Sequence, residues 1–388
     1  MTAVALATTL TLAEILAGTG GTLAPAAGPR SLSGVSIDSR TIQPGELFVA
    51  IEGPRFDGHD FVGDAARRGA GAAVVHRRTE APETLPLVHV GDTTRALGDL
   101  ARHWRRQAEA PVVGLTGSVG KTTTKEMASA LLATRGPVLK TEGNLNNQWG
   151  LPLTLLGLRE EHTAAVLELG MSAPGEIRSL SAIAEPDVAV ITRVAPVHLE
   201  YFPSVEAIAD AKAEILEGVR PGGAAVLNAG DPRVVRIGEG WAGRVVWFGR
   251  DRRCDVSAER WRGTAFGMRF DLVVGDRRVD VALPLAGPHF VENFLAAAAT
   301  AHVLGIPAET VAEAATGMTA ARHRGEVRRL GEDVVLLDDS YNSSPDALEA
   351  AVVALTLAPG RRRVAVVGDM LELGETGPTR HRESGRAL

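Results

Sequence analysis

Lysine is nearly absent from this 388-residue chain. Of 41 basic residues only Lys121, Lys125, Lys140 and Lys212 are lysine, and the rest are arginine. Such a bias replaces lysine wherever any positive charge serves. A lysine that survives it points to a compact ammonium or a titratable amine, neither of which arginine supplies. Cysteine is scarcer still. The single Cys254 excludes an intramolecular disulfide framework and fits a reducing cytoplasm. The N-terminus has no early Lys or Arg, and Glu14 interrupts its apolar stretches. Neither a signal peptide nor insertion into a membrane is therefore expected. An excess of positive charge is missing too. The net charge of −6 argues against a nonspecific nucleic-acid binder. What remains, 45% apolar and 23% charged, is ordinary globular composition. The length allows about two or three domains.

Against this background one stretch stands out, Val112-Val113-Gly114-Leu115-Thr116-Gly117-Ser118-Val119-Gly120-Lys121-Thr122-Thr123-Thr124-Lys125. The apolar run Pro111 to Leu115 reads as a buried strand. A glycine-rich turn follows, then Lys-Thr, then a helix through Leu132. Backbone N–H groups of such a turn and helix N-terminus cradle anionic oxygens. The lysine reaches the terminal phosphates, and the threonine hydroxyl suits Mg²⁺. The common form of this loop would place glycine at 115, where the chain has Leu115. The turn is the shorter Thr-Gly-x-x-Gly-Lys-Thr form.

The chain divides into three expected regions, all α/β. Residues 1–108 contain short strands at Gly34–Arg40, Gly45–Ile51 and Ala72–His76, with helices at Asp60–Arg68 and Thr93–Gln107. Residues 109–319 alternate strands and helices, as doubly wound parallel sheets do. Ala164–Glu168 and Val188–Thr192 are of buried-strand length, and Ser204 caps a helix over Val205–Leu216. Segments 245–248, 266–274 and 279–283 read as antiparallel strands, followed by helices at Asn293–Leu304 and Ala308–Ala315. Residues 320–388 hold one β-α-β unit: strand 334–337, helix Pro345–Leu357 and strand 363–367, with a further helix after Gly377. That is short beside the roughly 100–150 residues usual for a domain. The chain is expected to be cut within its last domain.

Ligands of doubly wound sheets sit beyond the carboxyl ends of strands. Glu168 ends one strand, where it suits nucleotide-bound Mg²⁺; it also reads as a turn carboxylate. His198 lies six residues past Thr192, and Lys212 lies on a helix. Taken alone, both read more simply as loop and surface residues, although the arginine bias argues against that for Lys212.

Several motifs together carry a resemblance. Lys140 to Thr154 is dense in asparagine, with Asn144, Asn146 and Asn147. Beside it stand the short phosphate turn, Glu168-Leu169-Gly170-Met171, His198-Leu199-Glu200 and Asp338-Asp339-Ser340-Tyr341-Asn342. Gly368–Glu375, His381 and Ser36-Ile37-Asp38-Ser39-Arg40 complete the set. Over essentially its whole length the chain resembles the Mur ligase family, and within it the branch that adds a D-alanyl-D-alanine dipeptide.

The resemblance implies a small α/β N-terminal domain for the UDP end of the substrate. It implies a central P-loop ATPase domain and a Rossmann-like last domain, incomplete here. ATP would phosphorylate the carboxylate of a UDP-N-acetylmuramoyl-tripeptide, and the amine of D-alanyl-D-alanine would displace phosphate. Lys121, His198 and Lys212 would be the catalytic residues. Thr116, Gly117, Ser118, Val119, Gly120, Lys121, Thr122 and Thr123 would bind ATP, with Asn293 near adenine and Arg324 and Asp339 on the nucleotide. Thr122 and Glu168 would serve a first Mg²⁺. His198 and Lys212, the latter as a carbamate, would serve a second. Ser39 and Arg40 would meet the UDP end. Asn144, Asn146, Asn147, Tyr341 and Asn342 would face the peptide or dipeptide. The protein would be a cytoplasmic monomer. Arg193 and Pro203 depart from the family's usual asparagine and glycine near the metal site.

Two other readings stay open. One is a sibling ligase that adds an amino acid to a UDP-muramoyl peptide or a folate. The other is a nucleotide-binding module without turnover, the consequence of an incomplete last domain.

Overall fold

The computed structural model describes residues 4–24, 31–197, 199–251, 253–264, 266–331, 334–358 and 360–387. The first part contains strands β1 (Val4–Thr11), β2 (Thr22–Ala24), β3 (Ser31–Ser36), β4 (Leu47–Val49), β5 (Ala72–Val75) and β6 (Leu87–His89). Its helices are α1 (Leu12–Thr19), α2 (Val62–Arg67) and α3 (Thr93–Gln107). The six strands form one sheet in the order β1-β3-β4-β5-β6-β2. Its inner pairs are parallel, and the two edge strands run antiparallel to their neighbours.

The middle of the chain builds a nine-stranded sheet, ordered β15-β14-β13-β12-β11-β10-β7-β9-β8. Its strands are β7 (Val112–Thr116), β8 (Val138–Lys140), β9 (Ala164–Glu168), β10 (Val188–Ile191) and β11 (Ala224–Asn228), then β12 (Arg244–Gly249), β13 (Val256–Thr264), β14 (Gly267–Val274) and β15 (Arg277–Leu283). Around them lie α4 (Lys121–Leu132), α5 (Gly150–Leu156), α6 (Glu176–Ala184), α7 (Val205–Ala213), α8 (Pro232–Glu239), α9 (Pro288–Val303) and α10 (Ala308–Ala315). From β8 to β13 all neighbours are parallel, and β14 and β15 close one edge as an antiparallel extension.

Strand periodicity splits the core in two. Val112, Ala165, Leu167, Ala189 and Ile191 face one cluster, which continues into the first sheet through Leu97, Leu100 and Trp104 of α3. Val113, Leu115, Val166, Val188 and Val190 face the other, packed under α4 and α9. Continuous apolar strands are therefore required here, because both faces are covered. Arg105 of α3 is 1% exposed and ties the two sheets together. Its guanidinium donates to Asp187 Oδ2 at 2.6 Å and to Ala184 O at 3.1 Å. Asp187 Oδ2 also accepts the Val112 N–H at 2.8 Å, at the start of β7.

Two expectations about strands need correction. Segment 245–248 belongs to β12, which pairs parallel to both β11 and β13 rather than antiparallel. In the last part, β16 (Glu326–Arg329) and β17 (Val335–Asp338) form an antiparallel hairpin, followed by α11 (Pro345–Leu357) and α12 (Gly377–Ala387). Segment 363–367 is not a strand. Val364, Val366 and Val367 are 60%, 95% and 49% exposed, and among the described residues no neighbouring strand pairs with them. β-propensity alone does not hold an isolated segment in a sheet. Helix α7 also stops at Ala213, earlier than expected, and a 3₁₀ turn carries on over Glu214–Gly218.

Candidate active site

β7 delivers the phosphate turn to the carboxyl edge of the nine-stranded sheet, between β10 and β9. The turn then enters α4 at Lys121, with Gly120 at φ +82°. A side chain at Gly120 would meet Asn293 Oδ1 at 2.3 Å, so both backbone conformation and space demand glycine. A cleft of 1030 Å³ opens above the turn. Helix α9 and the loop after β8 wall it on two sides, and residues from the last part of the chain close it from above.

Lys121 Nζ donates to Gly117 O at 2.8 Å and to Ser118 O at 3.4 Å, folding back over the turn. Burial pushes its ammonium below the usual value; Glu168 opposes this and Arg324 adds to it. An anion in the turn would favour the charged form. Thr122 Oγ1 donates to Glu168 Oε2 at 3.0 Å, and Asn146 Nδ2 donates to Glu168 Oε1, also at 3.0 Å. Glu168 is 4% exposed and is further fixed by its own N–H, which donates to Thr141 Oγ1 at 2.9 Å. A hydroxyl and an oriented carboxylate at the mouth of a phosphate turn are the oxygen donors that Mg²⁺ takes alongside nucleotide phosphates.

The cleft gathers most of the expected residues. Ser118, Val119, Gly120, Lys121, Thr122 and Thr123 line its floor. Asn144, Asn146, Asn147 and Glu168 line one wall, and Asn293 lines the opposite one. Arg324, Asp339, Tyr341 and Asn342 reach it from the last part of the chain, where the Arg324 guanidinium lies 4.0 Å over the Tyr341 ring. Thr116 and Gly117 lie behind the floor, with Thr116 Oγ1 donating to Leu169 O at 3.0 Å. His198 falls outside the described residues. Arg193 lines the cleft and faces Glu292 at 3.5 Å.

Lys212 does not line the cleft. It is 2% exposed, rather than on a helix surface. Burial drives its amine well below the usual lysine value, and the charge of Lys121 adds to the effect. The other two surviving lysines have structural tasks. Lys125, 1% exposed, donates to Thr141 O at 2.5 Å and pairs with Glu126 at 3.0 Å, and Lys140 pairs with Glu126 at 2.6 Å. Together they fasten the asparagine-rich loop to α4.

Ser39 and Arg40 lie in the first part and do not line the cleft. Arg40 pairs with Asp38 through Nε–Oδ1 at 2.9 Å and Nη2–Oδ2 at 2.8 Å. That fork holds the Asp38 carboxyl down at about 2. Ser39 is buried.

Two residues that sequence reasoning passed over also line the cleft. His289 Nδ1 and Asp346 Oδ2 are buried without a hydrogen-bond partner. Burial lowers the His289 imidazole to about 4, leaving it neutral. Both belong to expected helical stretches or their immediate approach, and only their placement across the cleft marks them.

With this geometry in view, comparisons with known proteins converge. The Mur ligase middle domain matches residues 115–301, the Mur ligase family catalytic domain residues 31–105, and the Mur ligase glutamate ligase domain residues 323–388. UDP-N-acetylmuramoyl-tripeptide–D-alanyl-D-alanine ligase of Escherichia coli K12 is 41% identical over 92% of this chain and 79% of its own length. The Bacillus subtilis 168 protein of the same name is 35% identical over 92% and 78%. The crystal structure of MurF from Acinetobacter baumannii superposes with a TM-score of 0.91 at 34% identity, covering 97% of this chain and 83% of that one. MurF ligase from Thermotoga maritima, solved with ADP, gives a TM-score of 0.84 at 33% identity over 91% and 81%. The expected cut within the last domain finds no support in these comparisons.

Proposed function

Because the chain belongs to the Mur ligase family, we propose that it joins D-alanyl-D-alanine to a UDP-N-acetylmuramoyl-tripeptide at the expense of ATP. The observation that carries this reading is the shared cleft. One space holds a phosphate turn, an oriented carboxylate beside a threonine hydroxyl, and an asparagine-rich wall. A carboxylate is a poor electrophile because oxide is a very poor leaving group. Transfer of the γ-phosphoryl group to a carboxylate oxygen makes an acyl phosphate. The neutral amine of the dipeptide then attacks the carbonyl, the C–O bond to phosphate breaks, and an amide forms. ADP and phosphate are released, and the amine proton leaves to solvent.

In this reading Lys121 holds the transferring phosphoryl group, where concentrated charge is stabilised. Thr122 and Glu168 would hold Mg²⁺, which supplies charge neutralisation at the nucleotide phosphates. His198 and Lys212 serve a second ion. Burial favours the uncharged amine of Lys212, the form that takes up CO₂; with loss of a proton the resulting carbamate would offer that ion a carboxylate ligand. Asn293 borders the adenine, and Arg324 and Asp339 hold the nucleotide. Asn144, Asn146, Asn147, Tyr341 and Asn342 orient the peptide carboxylate or the dipeptide, and Ser39 and Arg40 meet the UDP end. Residues 1–108, 109–319 and 320–388 act as substrate, ATP and closing units of a cytoplasmic monomer.

The test is product formation from UDP-muramoyl tripeptide, ATP and D-alanyl-D-alanine, beside a panel of single amino acids. Amide product with the dipeptide alone supports the reading. Product with a single amino acid would assign the chain to a sibling activity. ATP binding without any product would leave only a nucleotide-binding module.

A further inference from the structure

Beyond Ile191 the chain leaves β10 and crosses beside the phosphate turn as a short strap, Thr192–Ala195. The strap, rather than the turn itself, satisfies several of the turn's polar groups. Ser118 N–H donates to Arg193 O at 2.7 Å, and Ser118 Oγ donates to Ala195 O at 3.1 Å. Thr192 Oγ1 donates to Val119 O at 2.7 Å. A side chain at Gly117 would meet Thr192 Oγ1 at 1.9 Å, so the strap lies hard against the turn. Ser118 and Val119 are the two residues between Gly117 and Gly120, so their orientation sets where the turn's remaining N–H groups point.

The strap is held in its turn from β11. The backbone pairing of β10 with β11 ends at Ile191 and Leu227. Past that point the Thr192 carbonyl and the Val194 N–H have no partner on β11's backbone, and buried backbone groups require one. Two side chains take over. Asn228 Nδ2 donates to Thr192 O at 2.8 Å, while its Oδ1 accepts the Gly230 N–H at 2.8 Å. Asp231 Oδ2 accepts the Val194 N–H at 2.7 Å, while its Oδ1 accepts the Arg233 N–H at 2.9 Å. Both residues are 5% exposed. Each side chain is engaged at both ends, which fixes its orientation.

We infer that Asn228 and Asp231 are positioning residues for the phosphate turn, acting through the Thr192–Ala195 strap. They continue the β10–β11 ladder with side chains and so fix the turn, Asn228 from the cleft wall and Asp231 from outside the cleft. This inference rests on the ATP-dependent ligase reading.

Asn228→Asp keeps the oxygen that accepts from Gly230 but sets a second oxygen against Thr192 O. Thr192→Val removes only the hydroxyl that reaches Val119. Asp187→Asn is the control, because Asp187, at the other end of β10, accepts the Val112 N–H at the start of β7 and pairs with Arg105, away from the turn. In the full chain, KM for ATP and for D-alanyl-D-alanine are measured with the melting temperature. Asn228→Asp and Thr192→Val are expected to raise KM for ATP about tenfold, since small displacements of a binding group are costly. KM for the dipeptide should stay at the parent value. Asp187→Asn should lower the melting temperature without moving KM for ATP. Parent KM for ATP in both test variants would overturn the inference, as would an equal rise in Asp187→Asn. Should Asn228→Asp fail to fold, Thr192→Val decides. A parent chain that binds no ATP would overturn the ligase reading itself, whereas equal ATP binding by parent and variants sinks this inference alone.

Discussion

Strand β7, which leads into the phosphate turn, and segment 363–367 are both short runs rich in valine, yet they behave in opposite ways. Around the turn, β7 is buried along its whole length between two parallel neighbours. The turn, the asparagine-rich loop and the residues after β10 are each tied by hydrogen bonds to a second element. In segment 363–367 the valines are open to solvent and no described strand pairs with them. Apolar runs of similar composition thus give a rigid cradle in one place and an extended segment in the other. The difference lies in neighbours: a strand is stabilised by the ladder on each side, and the turn that follows β7 inherits that rigidity.

Substitutions can break or sharpen this contrast. The largest effect is expected at Lys121→Ala, which should leave the fold intact and lower turnover by roughly 10²–10³, the usual cost of removing one electrostatic partner of a transition state. ADP release measures it, and near-parent turnover would remove Lys121 from the chemistry. Lys212→Arg should be as damaging as Lys212→Ala, because arginine cannot form a carbamate and adds a fixed charge in a buried site. Short carboxylic acids should partly restore the alanine variant and not the arginine variant; an active Lys212→Arg enzyme would end the carbamate proposal.

Glu168→Gln should raise the Mg²⁺ concentration needed for half-maximal rate more than it weakens binding of the UDP substrate. Superimposable Mg²⁺ titrations would reduce Glu168 to a turn carboxylate. The last pair compares the two regions directly. Ile191→Ala, at a fully buried position, should cost about 2–5 kcal/mol by denaturant unfolding. Val366→Ala, at a position 95% exposed, should stay within about 0.5 kcal/mol. Equal costs would show that segment 363–367 is packed in solution.

The same contrast explains what could be read in the sequence. The turn, β9, α3 and α10 were legible because composition and period agreed with burial on both faces or along one stripe. β13 was missed because its outer half, Glu259–Thr264, is largely exposed and its pairing with β14 shifts register between Glu259 and Arg262. That shift erases the alternation a strand should show. The orientation of β12 was misjudged because direction is set by connection, not by composition. His289, Asp346, Asn228 and Asp231 gave no local signal. Their roles depend on which elements the fold places opposite them, and a single asparagine or aspartate after a strand reads equally well as a turn former. The burial of Lys212 was not legible: its α7 context suggested solvent, and the scarcity of lysine pointed only to a special role.

The most direct measurement follows oxygen. UDP-muramoyl tripeptide carrying ¹⁸O in the carboxylate that is joined should be incubated with the chain, ATP, Mg²⁺ and D-alanyl-D-alanine, and the released phosphate examined by mass spectrometry. Passage through an acyl phosphate places one carboxylate oxygen in the phosphate for each amide formed. Amide product with unlabelled phosphate would contradict activation by phosphoryl transfer in this cleft.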